Sequence, residues 1–108
     1  MANVFRLRTK TNIGVSTVGI YTVPSATMTT IIGLTLANIS GGSINVTVGI
    51  SRTNTDSVSL IKNVPIPQGS SLEVMQGNKI IMEANDSLTA ISDVNSSLDA
   101  SLSILEMT

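Results

Sequence analysis

The side chains that could carry out catalysis in this sequence are serines, lysines and carboxylates, because it contains no histidine and no cysteine. The most common general base, the thiol nucleophile and the usual ligands of transition metals are therefore missing. A serine nucleophile would need a lysine as its base, and Lys62 and Lys79 lie at the edges of predicted strands without a motif around them. The sequence predicts that the protein is not an enzyme.

The carboxylates are the second group with chemical potential, since paired acids hydrolyse glycosides and clustered acids bind calcium. They are spread over separate predicted strands and turns: Glu73, Glu83, Asp86, Asp93 and Asp99. Asn85-Asp86-Ser87 is similar to a fragment of an oxygen-rich loop but lacks the repeated D-x-D-x-D spacing. A turn in which the Asn and Asp side chains bond their own backbone explains it better. We expect neither a metal nor any other cofactor.

The composition also limits which ligands the protein could bind. Phe5 and Tyr21 are the only aromatic residues and the net charge is −1, so the stacking groups and basic surface of nucleic-acid binding are missing. Carbohydrate binding stays open as an alternative, through polar loop ends at Arg52–Asp56 and Asn85–Asp86. The longest apolar-dominated run, 31–39, is far shorter than the roughly 20 residues that span a bilayer. We expect no nucleic acid, no membrane, and a soluble protein made in a cytoplasm.

Alternation of apolar and polar residues predicts the elements that would position these groups. Turn residues separate about eight strands, which we place at Ile13–Tyr21, two arms of a hairpin within Ile31–Ile50, Ser57–Val64, Ser70–Met75, Lys79–Glu83, Leu88–Ser92 and Leu98–Glu106. The predicted fold class is all-β: a single-domain antiparallel β-sandwich, jelly-roll-like, with an extended N-terminal arm. Strand order does not follow from one sequence.

The hairpin over Ile31–Ile50 is the clearest of these elements. Its arms alternate apolar and polar residues, with Ile32, Leu34 and Leu36 predicted inward on the first and Ile44, Val46, Val48 and Ile50 inward on the second. Between the arms, the segment Ser40-Gly41-Gly42-Ser43 is expected to form a tight turn at positive φ.

The N-terminal arm covers residues 1–12 and the sandwich covers residues 13–108. Arg6, Arg8 and Lys10 supply half of the six basic residues, so residues 11–108 carry 3 − 7 = −4. One interpretation is a solvated, mobile terminus. The other is an arm that docks on an acidic neighbour, with Phe5 and Leu7 on one side and the cations on the other. On the second interpretation, the contact residues are Phe5, Arg6, Leu7, Arg8 and Lys10.

The scarcity of aromatic side chains suggests that the protein assembles. Aromatic residues bury the largest areas, about 150–250 Å² each, so a sandwich without them is expected to gain stability by burial against other copies or partners. Several outward strand faces consist of Ser, Thr, Asn and Gly, which lose little side-chain entropy in a contact. We therefore predict a homo-oligomer.

Three segments carry a resemblance to a known family: IYTVPSATMTTIIGLTLANISGGSINVTVGI, LIKNVPIPQGSSLEVMQGNKIIMEANDSLTAIS and SSLDASLSILE. Their short motifs between predicted strands, Y-T-V-P, P-I-P-x-G-S and N-D-S-L, resemble those of small virion structural proteins of tailed bacteriophages, particularly those of marine cyanobacteria. The resemblance covers residues from about 13 to 106. It implies a non-enzymatic part of the virion, present in many copies and assembled in the host cytoplasm.

Within this class we favour a capsid decoration or cement subunit that contacts the major capsid protein. The alternative is a tail, baseplate or fibre-associated module that contacts tail components. A carbohydrate- or cell-surface-binding β-sandwich is a second alternative, from a different functional class.

Overall fold

The computed structural model describes residues 3–52 and 56–108, which form nine β-strands and no helix. No helix in these ranges could therefore cross a membrane. The strands are β1 (Asn3–Ile13), β2 (Val18–Thr22), β3 (Met28–Asn38), β4 (Ile44–Ser51), β5 (Val58–Ile66), β6 (Ser71–Glu73), β7 (Ile80–Met82), β8 (Ser87–Ser92) and β9 (Leu98–Met107).

The strands form two antiparallel sheets that pack face to face. Sheet A has the order β1-β9-β3-β6, with β7 also paired to β3, and sheet B has the order β2-β8-β4-β5. Because β6 pairs with Thr35–Ala37 and β7 with Thr29–Ile31, these two short strands share one edge position beside β3. Two layers of four strand positions in this order make a jelly roll. The predicted class, an all-β antiparallel sandwich with a jelly-roll-like arrangement, is confirmed.

The core lies between the sheets and is built almost entirely from aliphatic side chains. Tyr21 is the one aromatic residue in it, whereas Phe5 is 74% exposed. Strand β9 shows how the core is formed: four apolar residues at alternate positions are buried, namely Leu98, Ala100, Leu102 and Ile104. The polar residues between them face outward, so β9 is the strand that the alternation predicted.

The predicted hairpin over Ile31–Ile50 is wrong, although both of its strands exist. Strand β3 pairs with β6, β7 and β9 in sheet A, whereas β4 pairs with β5 and β8 in sheet B. Each arm has one largely apolar face, and burial is most complete when the two faces meet across the sandwich. The alternation identified the inward face of β4 and the inward positions of Leu34 and Leu36 in β3, but it carries no information about which strand lies beside which.

A buried asparagine holds the corner where the chain crosses between the sheets. The Asn38 side-chain amide donates to the carbonyl oxygens of Gly42 and Ile66 at 2.8 and 2.9 Å, and its oxygen accepts from the Ser40 N–H at 2.9 Å. The expected positive φ at Gly41 and Gly42 is also wrong, since the glycines with positive φ are Gly69 and Gly77. The Ser40–Ser43 segment therefore forms a side-chain-capped corner and not a tight turn.

A β-bulge changes which residue of β3 faces the core. The register against β9 shifts between Ile31 and Gly33, and Ile31 is fully buried while Ile32 is 37% exposed. An extra residue in one strand reverses the side-chain alternation from that point. The prediction that Ile32 points inward is therefore wrong, whereas the inward positions of Leu34 and Leu36 are confirmed.

The N-terminal segment is extended, but it belongs to sheet A. It forms β1, which pairs antiparallel with β9 from Asn3 opposite Met107 to Ile13 opposite Leu98. The strand predicted at Ile13–Tyr21 divides into the end of β1, a turn, and β2. Without β1, the edge of β9 would present unpaired backbone groups to solvent, so the described part of residues 1–12 completes the sheet as its edge strand.

Candidate assembly surface

The outer face of sheet A, turned away from sheet B, exposes large apolar side chains. The strand registers place Phe5 opposite Leu105, Leu105 opposite Thr30, and Thr30 opposite Ile81. We call this line of four residues the outer-face row. Its two ends are its most exposed apolar members, with Phe5 at 74% and Ile81 at 58%.

Two further exposed apolar residues flank the outer-face row. Leu7, two positions along β1 from Phe5, is 63% exposed, and Met28, two positions from Thr30 in β3, is 46% exposed. Soluble monomers rarely expose contiguous apolar patches larger than a few hundred Å², and the largest patch on a protein is often an interaction site. This face is therefore the candidate functional surface of the molecule.

The structure places all five predicted contact residues on β1, divided between its two faces. Phe5 and Leu7 lie opposite Leu105 and Ser103 on the outer face. The cations Arg6, Arg8 and Lys10 lie on the other face, opposite the buried residues Ile104, Leu102 and Ala100. The predicted placement of the apolar and the basic side chains on opposite sides of the extended segment is confirmed. Their contact with a neighbour stays a prediction.

Arg6 takes part in a polar cluster that sequence reasoning missed. Its Nε donates to Oε1 of Glu106 at 2.6 Å, and the Tyr21 hydroxyl donates to Oε2 of the same carboxylate at 2.5 Å. The Tyr21 and Thr29 hydroxyls are 2.8 Å apart. Glu106 is only 8% exposed. Its position offered a signal, because in β9 it continues the inward series that begins at Leu98.

Hydrogen bonding and burial set the protonation states in this cluster. The hydrogen bond from Tyr21 lowers the pKa of Glu106, assisted by Arg6 and opposed by burial of the carboxylate. Burial, reinforced by the bond to Glu106, raises the pKa of Tyr21 to about 12. At neutral pH a neutral phenol and a guanidinium therefore share one carboxylate, which ties β1 and β9 of sheet A to β2 of sheet B.

A second ionic cluster fixes the turn before β8. Arg52 Nε donates to both carboxylate oxygens of Asp86 at 3.3 and 3.2 Å, and Arg52 also bonds Glu83. Oδ2 of Asp86 accepts from the Glu83 N–H at 2.9 Å. The prediction that the Asp86 side chain bonds its own turn is confirmed. The carbohydrate interpretation expected exposed, clustered polar residues at this turn and at Arg52–Asp56. Asn85 is exposed but Asp86 is only 5% exposed, and residues 53–55 of the other loop lie outside the described residues.

The remaining predicted carboxylates each bond a residue of a different strand. Glu73 accepts from the Leu34 N–H at 3.0 Å and Asp93 from the Asn45 N–H at 2.9 Å. Asp99 accepts from the Thr11 hydroxyl at 2.6 Å. Across residues 3–52 and 56–108, no three acidic side chains come together in a group that could hold a metal ion. These acids stabilise turns and bulges of the sandwich.

Comparison with known proteins gives similarity at the level of the fold. No family model and no curated protein matches the sequence. A chain of the acid-stable capsid structure of Helicobacter pylori bacteriophage KHP30 is 12% identical, with a TM-score of 0.62 over 98% of this chain and 92% of that one. A chain of the disulfide-linked pili that form Bacillus endospore appendages is 12% identical, with a TM-score of 0.59 over 99% and 87%.

A third structure, that of the infectious bursal disease virus Gx strain, extends the range of chain sizes. It is 12% identical with a TM-score of 0.53, and it matches 95% of this chain but only 33% of the viral chain. The same sandwich therefore occurs both as nearly a whole chain and as one part of a larger one. At this level of identity the three similarities show a shared jelly-roll fold.

Proposed function

We propose that this protein is a non-enzymatic structural subunit of a tailed-phage virion, present in many copies as a capsid decoration or cement protein. The observation that carries the proposal is the outer face of sheet A, where Phe5, Leu7, Met28 and Ile81 stay exposed. Covering such a surface removes apolar area from water, which stabilises a contact by about 25 cal/mol for each Å² buried. The fold shared with chains of a phage capsid and a virus supports the same class.

Strand β1 is the part of the subunit that we assign to contacts with other virion proteins. Phe5 and Leu7 supply the apolar contact on the outer face, and Arg8 and Lys10 supply positive charge along the same edge. Arg6 is already bonded to Glu106, so it holds the strand in position for the contact. The expected partners are the major capsid protein and other copies of this chain.

A fibre-associated subunit is the second candidate, and one observation favours it. The fold is shared with a chain of endospore appendages, which are pili. Those pili are disulfide-linked, whereas this sequence contains no cysteine. A fibre built from this subunit would therefore have to rely on noncovalent contacts between copies.

The copy number in purified particles separates the two candidates. A decoration subunit should be present in numbers comparable with the major capsid protein, whereas a tail or fibre component should amount to a small fraction of it. Quantitative mass spectrometry of particles purified from infected cells measures this ratio directly. Absence of the protein from purified particles would overturn both candidates.

The contact assigned to β1 can be tested by substitution. Phe5→Asp and Leu7→Asp place a charge on the outer face, and we expect both variants to be lost from particles. Thr9→Asp is the matched control, because Thr9 is an exposed residue of the same strand on the same face. Deletion of residues 1–10 is less informative, since it also removes the partner of β9. Normal incorporation of both Asp variants would rule out this contact.

A further inference from the structure

Sheet A ends in two different edges, and both expose apolar side chains on the same face. One edge is β1, with Phe5 and Leu7, and the opposite edge is formed by β6 and β7, with Ile81. Within the described residues, β1 pairs only with β9, and β7 pairs only with β3. Each edge therefore has backbone groups available for pairing with a further strand.

Strand direction determines how a second copy could continue the sheet. The pairings β1–β9, β9–β3 and β3–β7 are all antiparallel, so β7 runs opposite to β1. A neighbouring copy in the same orientation would place its β1 antiparallel to β7, with the outer faces of both sheets on the same side. The outer-face row would then continue from Ile81 of one copy to Phe5 of the next.

Charge disfavours the alternative in which two copies pair through β1. In an antiparallel β1–β1 pair, the faces that carry Arg6, Arg8 and Lys10 would lie side by side. In registers centred on this segment, these like charges would lie opposite each other. Like charges directly across a pair of strands are destabilising. The opposite edge lacks such a series of cations, because β7 is uncharged and is flanked by Lys79 on one side and by Glu83, which is paired with Arg52, on the other.

We propose that copies of this protein associate head to tail, with the β1 edge of one copy against the β7 edge of the next. The proposal deepens the proposed function, on which it rests for the expectation that many copies act together. A contact between two different surfaces of the same chain propagates, so it produces a ring where the rotation closes and a filament where it does not. Phe5 and Leu7 pack against the next copy's edge beside Ile81, which covers both ends of the outer-face row.

Engineered cysteines can test this arrangement without interference, because the chain has none of its own. Phe5→Cys and Ile81→Cys are made separately, with one variant carrying a tag that changes its mass. Mild oxidation of the mixture should give a disulfide-linked mixed dimer, while each variant alone should give none. Val94→Cys is the control, since Val94 is exposed but lies in the β8–β9 connection, and it should not cross-link to Ile81→Cys.

The possible results separate the proposal from its alternatives. Homodimers of Phe5→Cys alone would show that two β1 edges meet, and homodimers of Ile81→Cys alone would show that two β7 edges meet. Either result overturns the head-to-tail contact, as does a lack of cross-linking in every mixture of variants that are folded by circular dichroism. A mixed dimer from a protein that is absent from particles would preserve the contact and overturn the proposed function. A protein that is abundant in particles but gives no mixed dimer would overturn the head-to-tail contact and preserve the proposed function.

Discussion

The hydroxyl of Tyr21 donates a 2.5 Å hydrogen bond to Oε2 of Glu106 and so links β2 of sheet B to β9 of sheet A. The other oxygen of this carboxylate accepts from Arg6 in β1. One buried acid thus joins both sheets and the edge strand that carries the proposed contact surface. Both carboxylate oxygens have charged or polar partners, which is the condition under which a buried carboxylate is tolerated.

Replacement of Tyr21 by phenylalanine should destabilise the fold while keeping its shape. The variant Tyr21→Phe removes one donor from Glu106 and one partner from Thr29, and a buried group left without its partner costs about 1–3 kcal/mol. Urea denaturation followed by circular dichroism measures the change. Ser87→Ala is the matched control, because it removes the exposed Thr22–Ser87 bond and should cost less than about 0.5 kcal/mol. Equal losses in the two variants would contradict the role assigned to Tyr21.

The ionisation of Tyr21 can be observed directly, because the chain has one tyrosine and no tryptophan. Burial and the bond to Glu106 raise its pKa from 10.0 to about 12. The near-ultraviolet absorbance of tyrosinate should therefore develop about two units higher in the folded protein than in urea. Because the folded pKa is the higher one, the associated stability is complete below pH 10 and is lost as the pH rises toward about 12. Coincident titrations in the folded and unfolded states would contradict this environment.

Acid should weaken the wild-type protein more than a Glu106→Gln variant. The pKa of Glu106 is lowered in the folded state from its ordinary value of 4.5, so the unfolded chain takes up the proton first as the pH falls. The contribution of the carboxylate is complete above pH 4.5 and disappears as the pH drops through the folded pKa. The difference in unfolding free energy between the two proteins should shrink over this range. A difference independent of pH would mean that Glu106 does not titrate differently on folding.

The sequence predicted the strands of this fold far better than their partners. Alternation along β9 placed Leu98, Ala100, Leu102 and Ile104 correctly, because burial on one face of a strand is a local property. The hairpin over Ile31–Ile50 failed because pairing is not local, and Ser-Gly-Gly-Ser is compatible with a corner as well as with a turn. The bulge at Ile32 was also hidden, since an extra residue in β3 appears only against the register of β9.

The candidate surface was predictable in part for the same reason. The alternation of Phe5 and Leu7 with Arg6, Arg8 and Lys10 was visible in the sequence and is present in β1. That Ile81 lies on the same face follows only from the pairing of β7 with β3, which no local pattern encodes. Glu106 had a local signal, as a charged residue in an inward series, but its partner Tyr21 is 85 residues away in the chain.

Asn38 at the corner between the sheets should be sensitive to an almost isosteric change. Asn38→Asp replaces the side-chain NH2 group, which donates to the Gly42 and Ile66 carbonyls, by a carboxylate oxygen. The two carbonyl oxygens would then face another acceptor instead of a donor. We expect a loss of at least about 2 kcal/mol in unfolding free energy, measured by urea denaturation near neutral pH. Ser40→Ala, which removes a hydroxyl bonded to the same Asn38 oxygen, should cost clearly less. A neutral Asn38→Asp variant would show that the corner does not depend on this amide.

Two glycines in strands should respond in opposite ways to the same methyl group. A Cβ at Gly49 would lie 2.7 Å from the Val58 carbonyl oxygen, where β4 and β5 pair irregularly, whereas a Cβ at Gly19 in β2 would meet nothing within 4 Å. Gly49→Ala must push β5 away from β4, and overpacking of this kind costs about 1–3 kcal/mol. Gly19→Ala should be neutral or stabilising by less than about 1 kcal/mol, because it restricts the unfolded chain. The thermal unfolding midpoint should therefore fall for Gly49→Ala and stay unchanged or rise for Gly19→Ala. A tolerated Gly49→Ala would mean that β5 can separate from β4 at little cost.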